Sequence, residues 1–137
     1  MIKAILKNHR QSPRKVRLVA DLVRGKKVDR ALNSLNFLTK KASGPVRSVI
    51  EMAVANARNN FQVKEDRLYI QEIKVDEGVT LMRRMPRARG SAYPIRKRSS
   101  HITVVLAEKT PEKTAKIKAE SDIEAEGLKS KDESSDN

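Results

Sequence analysis

One stretch, residues 78–100, limits the folds open to this chain more than any other. It reads GVTLMRRMPRARGSAYPIRKRSS and has almost no apolar alternation that could face a core. It contains no acidic residue and seven basic ones: Arg83, Arg84, Arg87, Arg89, Arg96, Lys97 and Arg98. Burying unpaired charge in an apolar interior is strongly unfavourable. The sequence therefore predicts that this stretch leaves the body of the fold.

Strand-like alternation flanks this basic stretch on both sides. Before it, residues 67–77 alternate apolar and polar side chains, but the phase changes between Ile70 and Ile73. Such a change indicates either a bulge near residues 71 and 72 or a switch of the buried face. After it, residues 101–106 place their apolar side chains on one face.

A long hairpin is the simplest structure for the stretch between these strands. Structureless loops longer than about 15 residues are uncommon in compact domains. We therefore predict an extended hairpin over about residues 78–100, with Gly90 supplying a positive φ at its tip. About ten residues on each side would carry the tip roughly 30 Å from the core.

Three segments have helical periodicity. The first runs from about residue 13 to 24, begins with Ser12 and Pro13 as cap and first-turn proline, and ends at Gly25. The second is shorter and runs over residues 28–38. The third starts near residue 43 and has the most regular apolar face, with a polar stop expected at residues 58–60. An alternating N-terminal segment, residues 1–7, predicts a further strand.

The charge is unevenly distributed along the chain. The 137 residues contain 30 Lys and Arg against 17 Asp and Glu, a net charge of +13. Residues 110–137 hold eight acids and five lysines, a net of −3, which leaves +16 on residues 1–109. Such a field attracts polyanions. We expect a nucleic-acid-binding domain over residues 1–109 and a disordered or frayed-helical tail over residues 110–137.

The predicted arm favours RNA as the nucleic acid. A mobile basic ribbon gains most by entering clefts, and folded RNA offers clefts where a regular duplex offers one outer surface. Arginine also suits bidentate phosphate binding and stacking on bases. Six arm residues are candidate contacts: Arg84, Arg87, Arg89, Arg96, Lys97 and Arg98.

A second basic cluster lies near the N-terminus. It supplies nine further candidate contacts: Lys7, His9, Arg10, Arg14, Lys15, Arg17, Arg24, Lys26 and Lys27. The basic side chains of the first helix are placed largely opposite its apolar face, where they could bind phosphate or simply be solvated. His9 and His101 have no acid cluster or cysteine at metal-ligand spacing, so hydrogen bonding or base stacking is expected of them.

Several classes of protein are disfavoured. The chain has no cysteine, no Gly-rich phosphate loop, no nucleophile elbow and no His-Glu-x-x-His motif. Asp76 and Glu77 are adjacent and would lie on opposite faces of a strand. We therefore expect no enzyme activity, no cofactor and no metal. Apolar runs of about four residues predict no membrane partner.

Five segments are similar to a known family. HRQSPRKVRLVADLVRGKKV (9–28), EMAVANARNN (51–60), KVDEG (74–78), MPRARG (85–90) and KRSSHITVVL (97–106) closely resemble the bacterial ribosomal protein twenty-two of the large subunit. The resemblance covers residues 2 to about 109. It implies an α+β fold in which three helices pack on a small three-stranded antiparallel sheet with a long protruding β-hairpin.

The resemblance also implies a function and partners. It implies a structural constituent of the large ribosomal subunit that binds large-subunit rRNA, assists early assembly and lines the nascent-peptide exit tunnel. The partners would be rRNA, neighbouring ribosomal proteins and the nascent peptide, in the cytoplasm and within the ribosome, without homo-oligomers. By motif, the tunnel-lining residues would be Leu81, Met82, Arg83, Gly90 and Ala92.

The sequence departs from this family inside the hairpin. Met82 stands where lysine is usual, Ser91 stands where arginine is usual, and Tyr93-Pro94 replaces a pair that commonly begins with aspartate. Residues 81–83 are expected about two thirds of the way from Gly78 to the turn. Two alternatives stay open: a helix-turn-helix DNA-binding protein built from the first two helices, and a general RNA chaperone.

Overall fold

The computed structural model describes residues 1–108, so the predictions for the tail lie outside the described residues. Three helices form within this range: α1 (Pro13–Val23), α2 (Val28–Asn36) and α3 (Ser43–Phe61). Five strands accompany them: β1 (Ile2–His9), β2 (Leu68–Glu77), β3 (Leu81–Pro86), β4 (Ala92–Lys97) and β5 (Ser100–Glu108). None of the helices among these residues has the length and apolarity needed to span a bilayer.

The body contains a three-stranded antiparallel sheet in the order β1-β5-β2. Its central strand, β5, brings Leu106 opposite both Ile2 of β1 and Ile70 of β2. The register between β2 and β5 shifts between Ile70 and Glu72. Because of this extra residue, the apolar side chains before and after the shift are all buried. Of the two alternatives for this strand, the bulge is therefore confirmed.

The helices bury their apolar faces against this sheet. α3 packs on β1 and β5, while α1 packs on β2. Val49 and Ile50 of α3 are fully buried, as expected for the most regular apolar face in the sequence. The α+β fold with three helices and a three-stranded sheet is thus confirmed.

The end of α3 differs from the prediction. We expected a polar stop at residues 58–60, but the helix continues to Phe61 and ends where Gln62 adopts a left-handed conformation, with φ of 54°. Its backbone N–H donates to the carbonyl oxygen of Ala57. Polar residues on the exposed side of a helix do not end it; a change of backbone conformation does. α2 is also shorter than predicted, since it ends at Asn36.

The arm is a separate two-stranded ribbon of β3 and β4. The β2–β5 ladder ends at the pair Glu77–Ser100, and the ribbon starts at the pair Leu81–Lys97. Residues 78–80 on one side therefore lie opposite only residues 98 and 99 on the other. The ladder therefore shifts by one residue where the arm leaves the body. The predicted protruding hairpin is present, and this junction sets its direction.

Candidate nucleic-acid interface

The arm is fastened to the body at Gly78. The N–H of Gly78 donates to the carbonyl oxygen of Ser99 at 3.0 Å, and the Ser99 hydroxyl donates to the carbonyl oxygen of Val79 at 2.7 Å. A Cβ atom at residue 78 would lie 2.5 Å from Ser99 Oγ and 3.2 Å from His101 Cε1. This close approach explains a glycine here, independently of any special φ.

Beyond this junction, both faces of the ribbon carry cations beside apolar side chains. Cross-strand partners share a face in an antiparallel pair. One face carries the pairs Leu81–Lys97, Arg83–Ile95 and Met85–Tyr93, and the other carries Met82–Arg96, Arg84–Pro94 and Pro86–Ala92. Each face therefore presents two cations together with flat or flexible apolar groups. Such a surface suits both phosphate contacts and base stacking.

The tip is a tight turn with two consecutive left-handed residues. Arg89 has φ of 58° and Gly90 has φ of 71°, so the predicted positive φ at Gly90 is confirmed. The N–H of Arg87 donates to the carbonyl oxygen of Ser91 at 2.9 Å and closes the turn. The Arg87 guanidinium lies 5.4 Å from the centre of the Tyr93 ring, within the range of a cation–π contact.

Every residue from 79 to 98 is exposed. Within residues 1–108, none of the seven arm cations forms an ion pair. The ribbon therefore has its own backbone hydrogen bonds but no core of its own, and two strands alone are marginally stable in water. An external polyanion would supply both the charge and the contacts that the described residues do not.

The structure separates the nine N-terminal candidate residues into two groups. Seven of them contact no backbone carbonyl of the sheet through their side chains: Lys7, His9, Arg10, Arg14, Lys15, Lys26 and Lys27. Arg17 differs, because its Nε and Nη2 atoms donate to the carbonyl oxygen of Val75 at 3.2 and 3.0 Å. Arg24 lies 3.4 Å from the carbonyl oxygen of Ile73 and 3.0 Å from Asp21.

Arg17 and Arg24 thus close the outer edge of β2. An edge strand presents unpaired carbonyl groups, and a guanidinium can satisfy them. The sequence interpretation placed both arginines on the face of α1 opposite its apolar residues. They lie instead on the flank that faces β2. Their positions seven residues apart, two helical turns, indicate a shared flank, but only the pairing of α1 with β2 shows which flank it is.

The two histidines have hydrogen-bond partners. Nδ1 of His101 accepts the backbone N–H of Asn8 at 3.0 Å, and Asn8 has φ of 56° at the irregularity in β1. His9 Nε2 lies 3.1 Å from Gln11 Oε1. These contacts agree with the expectation of hydrogen bonding for both residues.

The candidate tunnel residues occupy two separate parts of the arm. Gly90 and Ala92 lie at the tip, whereas residues 81–83 form the first half of β3 and pair with residues 95–97 beside the junction. The expected position two thirds of the way to the turn is wrong, because β3 begins only three residues after Gly78. All five residues are exposed.

A basic groove on the body was missed by the sequence analysis. It lies between α1 and the segment that joins α2 to α3, and has a volume of about 810 Å³. Lys40 and Lys41 line it together with Arg10 and Lys15. The two consecutive lysines that follow α2 are the sequence signal that could have indicated it.

The turn between α1 and α2 packs against β2. The N–H of Gly25 donates to the carbonyl oxygen of Ile70 at 3.1 Å, and the N–H of Ile70 donates to the carbonyl oxygen of Lys26 at 3.0 Å. α2 buries Val28, Ala31 and Leu35 in the core. The two helices are thus parts of the sheet-covering layer, which weakens the helix-turn-helix alternative.

Comparison with known proteins decides the family. Residues 4–107 match the family model described as ribosomal protein L22p/L17e. The chain belongs to this ribosomal protein family. The match includes the body and the whole arm. A member of this family is a structural protein of the large ribosomal subunit rather than an enzyme, located in the cytoplasm within the ribosome.

Individual members of the L22p/L17e family are closely similar to this chain. The large ribosomal subunit protein uL22 of Desulfitobacterium hafniense is 56% identical over 107 residues, covering 78% of this chain and 94% of that protein. The uL22 proteins of Thermus thermophilus and Deinococcus radiodurans are each 54% identical, over 107 and 106 residues. These alignments cover 78% and 77% of this chain, and 95% and 79% of the respective relatives.

Proposed function

We propose that this protein binds large-subunit rRNA, assists early assembly of the subunit, and lines the nascent-peptide exit tunnel with its arm. The observation that carries the proposal is the arm itself. It is a ribbon of exposed residues with seven cations and no ion pair among the described residues. Within an RNA crevice its phosphate contacts would replace the missing core.

The body provides a second surface for RNA. Arg14 and Lys15 lie in the first turn of α1 and Arg10 lies just before it, while Lys26 and Lys27 follow its C-terminal end. Lys7 and His9 lie at the end of β1 from which the arm also departs, since His9 is opposite Ser100. RNA that passes from the body to the arm would contact these residues first and the arm cations next. Simultaneous contacts to separate RNA segments favour an early role in assembly.

Neighbouring ribosomal proteins and the nascent peptide complete the proposed partners. The arm extends from the junction at Gly78, and its strand β3 alone spans about 20 Å at roughly 3.3 Å per residue. Its tip places Gly90 and Ala92 farthest from the body, and small residues there leave room for a peptide. Residues 81–83 would line the path nearer the body, where Met82 offers a flexible apolar contact.

A general RNA chaperone is the competing function, since the same charge would serve it. Sedimentation of large subunits in high salt separates the two. We expect one copy of this protein per large subunit after washing, because contacts in a crevice are released slowly. A protein that washes off while the other subunit proteins remain bound would contradict the proposal.

Photocrosslinking tests the tunnel position. A photoreactive amino acid at position 82, in ribosomes stalled during translation, is expected to label the nascent chain. The same group at Phe37, which is 88% exposed on the body, is the matched control and should not label it. Labelling of rRNA alone from position 82 would place the arm outside the tunnel.

A further inference from the structure

The basic groove beside α1 has an apolar floor. Leu18 and Leu22 lie one helical turn apart on the outer side of α1, and they are 70% and 40% exposed. Leu38, from the segment between α2 and α3, lines the same groove. Exposed leucines at this spacing form an apolar strip that no other element among residues 1–108 covers.

Basic side chains line the groove together with these leucines. Four of the lining residues are basic and none is acidic; the four are Arg10, Lys15, Lys40 and Lys41. Within residues 1–108, none of these cations is in an ion pair. A groove lined by leucines as well as cations is unsuited to a bare phosphate backbone, because leucine offers a phosphate no hydrogen bond and no opposite charge. It is complementary to an acidic peptide that also carries aliphatic side chains.

The chain contains such a peptide in its own tail. Residues 120–126 read ESDIEAE, with four acids and no basic residue, and contain Ile123. Leu128 follows shortly afterwards. The tail segments on either side contain lysines, so the negative charge is concentrated at 120–126. This segment matches the groove in both charge and apolar character.

The tail also starts close enough to reach the groove. β5 ends at Glu108, two residues after Leu106, which pairs with Ile70. Ile70 contacts Gly25 through a backbone hydrogen bond, and Gly25 lies two residues after the end of α1. Glu120 is twelve positions after Glu108, a distance of up to about 40 Å for an extended chain. That reach covers the whole length of α1, whereas the arm leaves from the opposite end of β5.

We propose that residues 120–126 bind in the groove of the same molecule when the protein is free of RNA. The acids contact Arg10, Lys15, Lys40 and Lys41, and Ile123 packs on Leu18 and Leu22. Because the segment is tethered to the body, docking is intramolecular and benefits from a high effective concentration, so modest contacts suffice. The proposed occupant is this segment and no second protein.

Docking would regulate RNA binding at this surface, and this consequence also rests on the proposed function. Arg10 and Lys15 belong both to the groove and to the candidate RNA contacts. While the tail covers them, RNA binds only the fraction of molecules whose groove is open. RNA that contacts Arg10 and Lys15 displaces the acidic segment from these two residues.

Paramagnetic NMR on the full chain without RNA tests the docking. The chain has no cysteine, so Ser121→Cys gives one nitroxide label at a defined place. In low salt, we expect the label to weaken the amide signals of Lys15, Leu18, Leu22 and Lys41 more than those of the arm. Stronger losses in the arm, or no selective loss, would overturn the proposal.

Charge-matched variants of the labelled protein establish specificity. Glu120→Gln, Asp122→Asn, Glu124→Gln and Glu126→Gln together should abolish the signal losses. Glu112→Gln, Asp132→Asn, Glu133→Gln and Asp136→Asn remove the same charge from the rest of the tail and should retain them. Equal effects of the two quadruple variants would indicate diffuse attraction and overturn the proposal.

A change to the floor tests the groove itself. Leu18→Ser with Leu22→Ser alters exposed side chains, keeps all four cations and should also abolish the losses. Retained losses would mean that the tail binds elsewhere. RNA affinity is measured separately: the variant neutralised at residues 120–126 should bind RNA more tightly than its matched control. Tail docking without any RNA binding would refute the proposed function alone.

Discussion

The body and the arm of this molecule differ in whether their secondary structure is supported by a buried apolar core. In the body, α3 buries Val46, Val49, Ile50, Ala53 and Ala57 to 0% exposure, and the other elements pack around it. In the arm, no residue between 79 and 98 is buried. Both parts are made of regular secondary structure. Only the body has the apolar contacts that make such structure stable on its own.

This difference separates stability from function along the chain. Substitutions in the body should change the free energy of unfolding, whereas substitutions in the arm should change RNA affinity and leave unfolding nearly unaffected. Substitutions at the junction residue Gly78 and at the arginines that contact the edge of β2 should change the free energy of unfolding by intermediate amounts. Stability measurements on variants of the core, the junction, the β2 edge and the arm test this separation.

The largest effect is expected in the core of the body. Val49→Asp places an unpaired carboxylate at a position with 0% exposure. A buried charge left without a partner costs about 3 to 5 kcal/mol, a large part of the roughly 5 to 15 kcal/mol that stabilises a domain. We expect loss of the cooperative thermal transition followed by circular dichroism. Ser48→Asp, at the exposed neighbouring position, should melt cooperatively.

The junction should show an intermediate effect. Gly78→Ala forces a Cβ atom toward Ser99 Oγ and should destabilise the fold by about 1 to 3 kcal/mol, as overpacking does. Gly44→Ala is the control, because a Cβ there meets no atom within 4 Å. In a Ser99→Ala background the cost of Gly78→Ala should be smaller, as measured by chemical denaturation. An equal cost in both backgrounds would mean that the contact with Ser99 Oγ is not its cause.

The edge of β2 should show a smaller effect. Arg17→Gln removes the guanidinium from the carbonyl oxygen of Val75 and should cost about 1 kcal/mol. Arg14→Gln, on the same helix but without such a contact, should leave the melting temperature unchanged and lower RNA affinity. The finding that would contradict this division is a lower melting temperature for Arg14→Gln than for Arg17→Gln.

The arm should change affinity without changing stability. Replacing Arg96, Lys97 and Arg98 by alanine is expected to flatten the slope of log affinity against log salt by about 2, at roughly 0.7 per single-strand phosphate contact. The melting temperature should stay the same, because these side chains are exposed. Alanine at Arg30, Arg58 and Lys64 removes equal charge from the body. A slope that both triple variants change equally would show that the arm has no privileged contact with RNA.

The sequence allowed prediction of most of the fold, because period and turn residues are local signals. The starts of α1 and α3 and the exposed arm follow from such signals. The change of phase after Ile70 indicated either a bulge or a switch of the buried face, and the strand pairing decides for the bulge. The end of α3 did not follow from local signals, since Gln62 adopts its left-handed conformation without the glycine that usually marks it.

Long-range pairing accounts for the features that sequence reasoning missed. The Arg17 guanidinium donates a hydrogen bond to the carbonyl oxygen of Val75, 58 residues away in the sequence. No local pattern identifies that partner. The groove likewise combines α1 and the residues just before it with the segment after α2. Charge density alone was enough to select the candidate RNA contacts. It could not show that Arg17 and Arg24 are hydrogen-bonded to carbonyl groups of β2.

The register of the ribbon limits how the arm can vary in length. Side chains alternate faces at every residue, so removing one cross-strand pair, such as Arg84 with Pro94, turns everything beyond it by half a rotation. Removing two neighbouring pairs restores the original faces and shortens the reach by about 7 Å. The length of the arm can therefore change without altering its surface only by an even number of cross-strand pairs. A change by an odd number of pairs exchanges the two faces of the ribbon beyond that point.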